Sequence, residues 1–189
     1  MIPDLGNFAL ILALILAAML GVVPMVGAFR SDARLMGMAR PLAVGQFVFV
    51  AFAFGCLVYA FVTSDFSVQN VAMHSNTKLP VYYRVTASWG SHEGSLLLWV
   101  LMLTGWTFAV AVLSRHLPLD VAARVLAVMG LIGVGFYLFM LVTSNPFDRL
   151  SPPAAEGRDL NPLLQDPGMI YHPPMLYMGY VGFSVAFAF

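Results

Sequence analysis

Five long stretches without a charged residue alternate with short polar segments along the chain. A membrane-spanning helix needs about 20 consecutive, mostly apolar residues, so each charge-free window predicts one span. The fifth window is still apolar where the sequence stops. The windows lie between Asp4 and Arg30, Arg40 and Asp65, Glu93 and Arg115, Arg124 and Asp148, and after Asp166 as far as Phe189.

This pattern predicts an all-α fold, a polytopic membrane helix bundle of about five transmembrane helices. We treat residues 1–189 as one unit rather than as separate domains. Two connecting loops, at about 64–93 and 145–172, are longer than a simple connection requires, and loops of that length are usually functional or disordered. The predicted spans are about 5–29, 41–63, 94–114, 125–144 and 173–189.

Composition agrees with a membrane protein. Hydrophobic residues make up 60% of the chain and charged residues 10%, whereas soluble domains average about 25% charged residues. The formal net charge is zero, which gives no basis for nucleic-acid binding. Cys56 is the single cysteine, so neither a disulfide framework nor a CxxC metal site is possible within the chain. The absence of a basic residue before the first apolar stretch favours a retained first helix over a cleaved signal peptide.

Arginine placement predicts the orientation, because short cytoplasmic loops of membrane proteins are enriched in Lys and Arg. The loops after the first and third spans carry closely spaced arginines, whereas the N-terminal tail has none. In the two longer loops, basic residues are sparse or diluted by acidic ones. We therefore expect the N-terminus and both longer loops outside, which is the periplasmic side if the host is a Gram-negative bacterium. The arginines assigned to the cytoplasm are Arg30, Arg34, Arg40, Arg115 and Arg124.

The first longer loop ends in the sequence SWGSHEGSLLLW, at the predicted start of the third span. It is not a zinc-protease HExxH motif, because the position four residues after His92 is Leu96. Ser91 can cap the helix, and Glu93 suits the positive end of the helix dipole. The alternative is an exposed edge that contacts a ligand or a partner, formed by Trp89, Gly90, His92 and Glu93.

The second longer loop ends in NPLLQDPGMIYHPPMLYMGYVG, residues 161–182. A residue before proline favours extended conformations, and proline is well tolerated in the first turn of a helix. We therefore predict that His172 immediately precedes a helix that begins at Pro173 or Pro174. Its imidazole is then available to bind a metal or to titrate near neutral pH. The alternative is an interfacial histidine within a belt of tyrosines.

No charged residue lies inside an apolar window, although proton pumps and ion-coupled transporters usually place ionisable groups there. No combination of serine, histidine and acid, and no pair of carboxylates within a span, indicates a hydrolytic site. Catalytic residues are therefore not identified.

Three segments together resemble the CcmF family of cytochrome c maturation proteins, the haem lyase component. They are IPDLGNFALILAL, WGSHEGSLLLWVLMLTGW and NPLLQDPGMIYHPPMLYMGYVGFSVAFAF, in the expected order. The resemblance implies an inner-membrane protein that takes haem from a CcmE-type chaperone on the periplasmic side. It also implies attachment of that haem to the CxxCH motif of apocytochrome c, with CcmH- and CcmI-type partners. Contact with membrane lipid is implied, and quinol is a further expected partner as electron donor.

The same resemblance implies a b-type haem held by the membrane domain, with His172 as one axial ligand of the haem iron. Pro173, Pro174 and Tyr177 would position that ligand, with Asn161, Tyr177 or a backbone carbonyl orienting the ring. The second axial histidine would lie outside this chain, which is interpreted as the N-terminal part of the haem-lyase domain and as inactive alone. The alternatives are an NrfE-type paralogue dedicated to one cytochrome, or a transporter or channel subunit.

Overall fold

The computed structural model describes all residues from Met1 to Phe189, and its regular structure is helical. The backbone forms eight α-helices, a single 3-10 turn at Pro162–Leu164, and one isolated bridge between Val68 and Arg149. The helices are α1 Ile2–Arg30, α2 Ala33–Gly37, α3 Ala39–Val62, α4 Gln69–His74, α5 Val81–Ala87, α6 His92–Leu113, α7 Leu119–Thr143 and α8 Gly168–Ala188.

Four segments are long and apolar enough to cross a membrane, which confirms the predicted all-α membrane bundle. They are α1, the segment Ala33–Val62 that includes α2 and α3, α6, and α7. The fifth predicted span coincides with α8, which is not among these four segments. The first two turns of α8 carry a histidine and two prolines, which reduce its apolarity.

The centre of the bundle is the packing of α1 against α3 and α7. Along α1, the alanines at 9, 13 and 17 are buried at four-residue spacing. A Cβ built on Gly130 of α7 would lie only 3.0 Å from the Ala17 carbonyl oxygen and from the Gly21 nitrogen. Small residues at both surfaces therefore let the two backbones approach closely, as in other membrane helix pairs.

A polar pair joins α3 and α7 within the spans. The Gln46 Nε2 donates a hydrogen bond of 3.0 Å to the Tyr137 hydroxyl, and both side chains are buried. The bond pairs the Gln46 Nε2 with the Tyr137 hydroxyl, two polar groups that would be costly to leave alone in an apolar interior, while the Gln46 Oε1 has no partner. This contact stabilises one relative placement of α3 and α7.

The N-terminus and both longer loops meet at one end of the bundle, here named the loop end. Arg149 pairs with Asp4 at 2.8 Å and lies 3.8 Å from Asp65. At the opposite end, Arg124 Nη2 donates to the Ala28 carbonyl. The N-terminus and both longer loops thus lie at one end and Arg124 at the other, as the arginine placement predicted. The side of the membrane that each end faces stays a prediction.

The first longer loop is ordered by backbone contacts and by one arginine. It contains α4 and α5, and Arg84 of α5 donates to the carbonyls of Leu79, Val62 and Thr77. Arg84 therefore has a structural role, which explains a basic residue on the side predicted to be periplasmic.

The two longer loops also contact each other through side chains. The amide and hydroxyl of Thr77 both donate to the Glu156 carboxylate. These hydrogen bonds, of which the one from the Thr77 hydroxyl has the largest effect, hold the pKa of Glu156 below its ordinary value. The contact between the two loops is therefore stronger when Glu156 is ionised.

Candidate functional site

The helices α6 and α8 bring the two sequence motifs together. Both helices begin at the loop end, and they run side by side in the same direction, with α7 connecting them. Three hydrogen bonds are spaced along the pair. They join Trp89 Nε1 to the Met169 carbonyl at 3.0 Å, Ser95 Oγ to the Tyr177 hydroxyl at 2.5 Å, and Trp106 Nε1 to the Met178 carbonyl at 2.9 Å.

The start of α6 is built as a capped helix, as the sequence predicted. The Ser91 hydroxyl accepts a hydrogen bond of 3.0 Å from the Gly94 amide. A Cβ on Gly94 would lie 1.8 Å from the Ser88 carbonyl oxygen, so only glycine fits this turn. His92 and Glu93 are not used by the cap, and His92 is exposed. Capping therefore explains Ser91 and Gly94, and His92 is the one exposed residue of the predicted edge, since Trp89, Gly90 and Glu93 are partly buried.

The helix α8 begins at Gly168, so the prediction of a start at Pro173 or Pro174 was wrong. Asp166 explains the earlier start, because its Oδ1 accepts a hydrogen bond of 2.7 Å from the Gly168 amide. His172 consequently lies inside the helix, and the two prolines occupy its second turn.

Trp89 compensates for part of what the prolines remove. Proline has no backbone N–H, so Pro173 cannot bond the carbonyl four residues earlier, which belongs to Met169. The Trp89 indole N–H donates to that carbonyl. The same indole stacks on Phe54, with ring centroids 6.3 Å apart. Trp89 therefore attaches the first turn of α8 to the rest of the bundle, a contact between distant residues that the sequence did not reveal.

His172 is exposed on α8, and its ring makes no hydrogen bond within the chain. The orienting groups expected for it bond elsewhere. Tyr177 shares its hydroxyl hydrogen bond with Ser95, and Asn161 accepts from the Leu163 amide in the 3-10 turn. The imidazole therefore remains available to a ligand outside the described contacts.

A cleft of about 370 Å³ opens between α6 and α8, beside the loop end. Its lining is mostly aromatic and aliphatic with a few polar groups, which is typical of small-molecule sites. His172 lies one helical turn before Leu176 of the lining, on a neighbouring part of the same helix face. His92 contributes to the cleft, whereas Glu93 faces a separate polar pocket. The lining residues are His92, Ser95, Leu96, Trp99, Leu176, Tyr177 and Tyr180.

Most of α8 is uncovered, since Val181 is its single buried residue. Large apolar side chains extend along the helix from the position of His172. An exposed imidazole next to an apolar surface fits one side of a haem, which needs an axial nitrogen and an apolar environment. The exposed apolar residues are Met175, Leu176, Met178, Tyr180, Phe183 and Phe187.

Comparison with known proteins identifies the family. The family model described as Cytochrome C assembly protein matches residues 89–189, which include both motifs and the cleft. Over its whole length, the chain is 64% identical to the cytochrome c-type biogenesis protein CcmF of Pseudomonas aeruginosa. The chain belongs to the CcmF family. It spans 29% of the length of that CcmF relative.

Two further comparisons refine this assignment. A solved structure named Cytochrome c Heme Lyase CcmF superposes with a TM-score of 0.84 at 29% identity, covering the whole chain and 29% of that protein. The cytochrome c-type biogenesis protein NrfE of Haemophilus influenzae is 46% identical over the whole chain, which covers 30% of that protein. The CcmF resemblance is confirmed, and the higher identity favours CcmF over the NrfE-type alternative.

Proposed function

We propose that this chain forms part of a CcmF-type haem lyase in a bacterial inner membrane, with its loop end in the periplasm. Membership of a cytochrome c-type biogenesis family supports the role in cytochrome c maturation. In this role the complete protein accepts haem from a CcmE-type chaperone and helps attach it to the CxxCH motif of apocytochrome c. CcmH- and CcmI-type proteins are the proposed partners, and quinol is the proposed electron donor.

The observation that carries the finer proposal is the place of His172. The ring is exposed at the loop end, free of hydrogen bonds, and next to the apolar face of α8. A neutral imidazole nitrogen can ligate haem iron, usually while the other nitrogen donates to an orienting group. We assign to His172 one axial ligand of haem, with the orienting group and second ligand supplied from outside these residues.

The depth of His172 bears on which haem it binds. It lies four residues after the start of α8, about 6 Å along the axis at 1.5 Å per residue. This position favours haem that arrives at the loop end during transfer. The alternative is that His172 ligates a resident b-type haem between the spans, as the sequence resemblance implies.

Replacing His172 by alanine in the complete protein tests the assignment. Since the His172 side chain is exposed and makes no hydrogen bond within the chain, the variant should reach the membrane at the normal level. The yield of c-type cytochrome should fall by tenfold or more. His116→Ala is the control, because His116 is exposed at the opposite end of the bundle.

Haem spectra distinguish the two occupants. The variant and parent are purified with and without co-expressed chaperone, and the Soret band is compared. Loss of haem only in the preparations with chaperone identifies transferred haem, whereas loss in both identifies a resident haem. An unchanged spectrum together with unchanged cytochrome yield would contradict the assignment of His172 as a haem ligand.

A further inference from the structure

A second pocket, of about 280 Å³, lies at the loop end where α4, the first turn of α6 and the end of α7 meet. It is distinct from the cleft between α6 and α8, since the two share no lining residue. Polar residues dominate its lining. They include Asn70, His74, Glu93, Ser144, Asn145 and Asp148.

Asn70 gives the clearest sign that this pocket holds a ligand. Its side chain is 5% exposed, and neither the amide nitrogen nor the amide oxygen has a hydrogen-bond partner. Leaving a buried polar group unpaired costs about 1–3 kcal/mol, and such groups are rare in native proteins. An amide with both ends unpaired on a pocket wall therefore calls for a polar occupant, either water or a hydrated ligand.

The charge of the pocket indicates which kind of ligand fits. Glu93 and Asp148 form no ion pair and accept no side-chain hydrogen bond, and no lysine or arginine lines the pocket. The neighbouring Arg149 is directed to Asp4 and Asp65 instead. Apart from the His74 imidazole, whose Nδ1 bonds the Asn70 carbonyl at 2.9 Å, the pocket therefore has two carboxylates and no basic side chain to balance them.

The available donors are mainly oxygen atoms, the carboxylates of Glu93 and Asp148 and the amide oxygen of Asn70. Carboxylate and amide oxygens are the ligands that Ca²⁺ and Mg²⁺ prefer. No three His, Cys, Asp or Glu side chains converge closely enough to hold a metal ion directly. A pocket of this volume has room for several waters, each needing about 30 Å³, and hydrated Mg²⁺ is commonly held through one or two carboxylates.

We propose that this pocket binds one hydrated divalent cation of the Ca²⁺ or Mg²⁺ class. The cation balances Glu93 and Asp148, and its water shell completes the hydrogen bonding of Asn70. It thereby connects the first longer loop, the start of α6 and the segment after α7. The proposal is independent of haem ligation by His172, since the two sites share no residue.

Binding to the folded state alone raises thermal stability as the ligand concentration rises. The complete protein is purified in detergent with EDTA, and its Tm is measured against CaCl₂ and MgCl₂ at constant ionic strength. We expect a saturable rise of several degrees with one of them, and calorimetry should show one bound ion per chain. The double variant Glu93→Gln, Asp148→Asn should lose both signals.

Asp120→Asn is the matched control, because Asp120 lies in the first turn of α7 as Glu93 lies in the first turn of α6, and it is exposed outside the pocket. It should keep the full cation response. Asn70→Asp adds a third carboxylate, so it should lower the Tm in EDTA and enlarge the rise produced by the cation. Absence of binding in the parent, or an equal response in the double variant, would overturn the proposal and leave a pocket filled by water.

Discussion

Pro173 and Trp89 act on the same carbonyl group. The proline removes the helical donor for Met169, and the indole of Trp89 supplies another. The prolines were predicted to mark the start of the helix. That prediction failed because Asp166 and Trp89 provide, from outside the helix, the hydrogen bonds that let it begin earlier.

Trp89→Phe should loosen the first turn of α8 without removing the aromatic packing on Phe54. A neutral hydrogen bond contributes about 1 kcal/mol, so amide exchange in residues 168–172 should become about fivefold faster. Hydrogen–deuterium exchange followed by mass spectrometry measures the exchange rate of these amides and does not depend on bound haem. Trp106→Phe, which loses an equivalent bond to Met178, should leave exchange at 168–172 unchanged. Equal effects of the two variants would contradict a specific role of Trp89 in holding His172.

Gly94→Ala should damage the start of α6, because the new Cβ would lie 1.8 Å from the Ser88 carbonyl oxygen. Forced repacking of this kind costs about 1–3 kcal/mol, and the Tm of the purified protein should fall accordingly. Gly179→Ala serves as the control, since nothing lies within 4 Å of a Cβ there. An unchanged Tm for Gly94→Ala would mean that the turn between Ser88 and Gly94 relaxes freely.

At the scale of the elements, the two longer loops behave as one folded layer. The amide of Gln69 donates to the Asp148 carbonyl, and the amide of Arg158 donates to the Ala72 carbonyl. Arginine placement, which can be read from each loop by itself, indicated that both loops lie on one side of the membrane. It could not show their pairing, which joins residues roughly eighty positions apart and depends on the packed helices beneath.

Cysteine labelling tests the side of the membrane that this layer faces. Lys78→Cys and Ser151→Cys replace exposed residues of the two loops, and Ala33→Cys replaces an exposed residue at the opposite end. A membrane-impermeant maleimide should label the two loop variants in intact spheroplasts, and the third only after lysis. The native Cys56 is buried and should give little background. The reverse labelling pattern would invert the topology.

For the whole molecule, the sequence predicted the class of fold well, because burying about twenty apolar residues in lipid is a property of each segment alone. Four segments meet the length and apolarity of a span, against about five predicted. The fifth segment, α8, combines His172 and two prolines with a largely uncovered apolar surface. Neither the cleft beside Leu176 nor the pocket at Asn70 could be predicted, since each needs side chains from helices that are distant in the sequence.

The missing proline donors also have a mechanical consequence for α8. Two successive rungs of its hydrogen-bond ladder, from residues 173 and 174, are absent directly after His172. Bending stiffness in a helix is lowest where such rungs are lost. The first turn of α8, up to His172, is thus joined to the helix below it by fewer hydrogen bonds than a regular helix supplies, while Trp89 bonds its Met169 carbonyl from outside. A displacement of Trp89 would tilt the first turn of α8, and with it the imidazole, relative to the part of the helix that Ser95 and Trp106 hold.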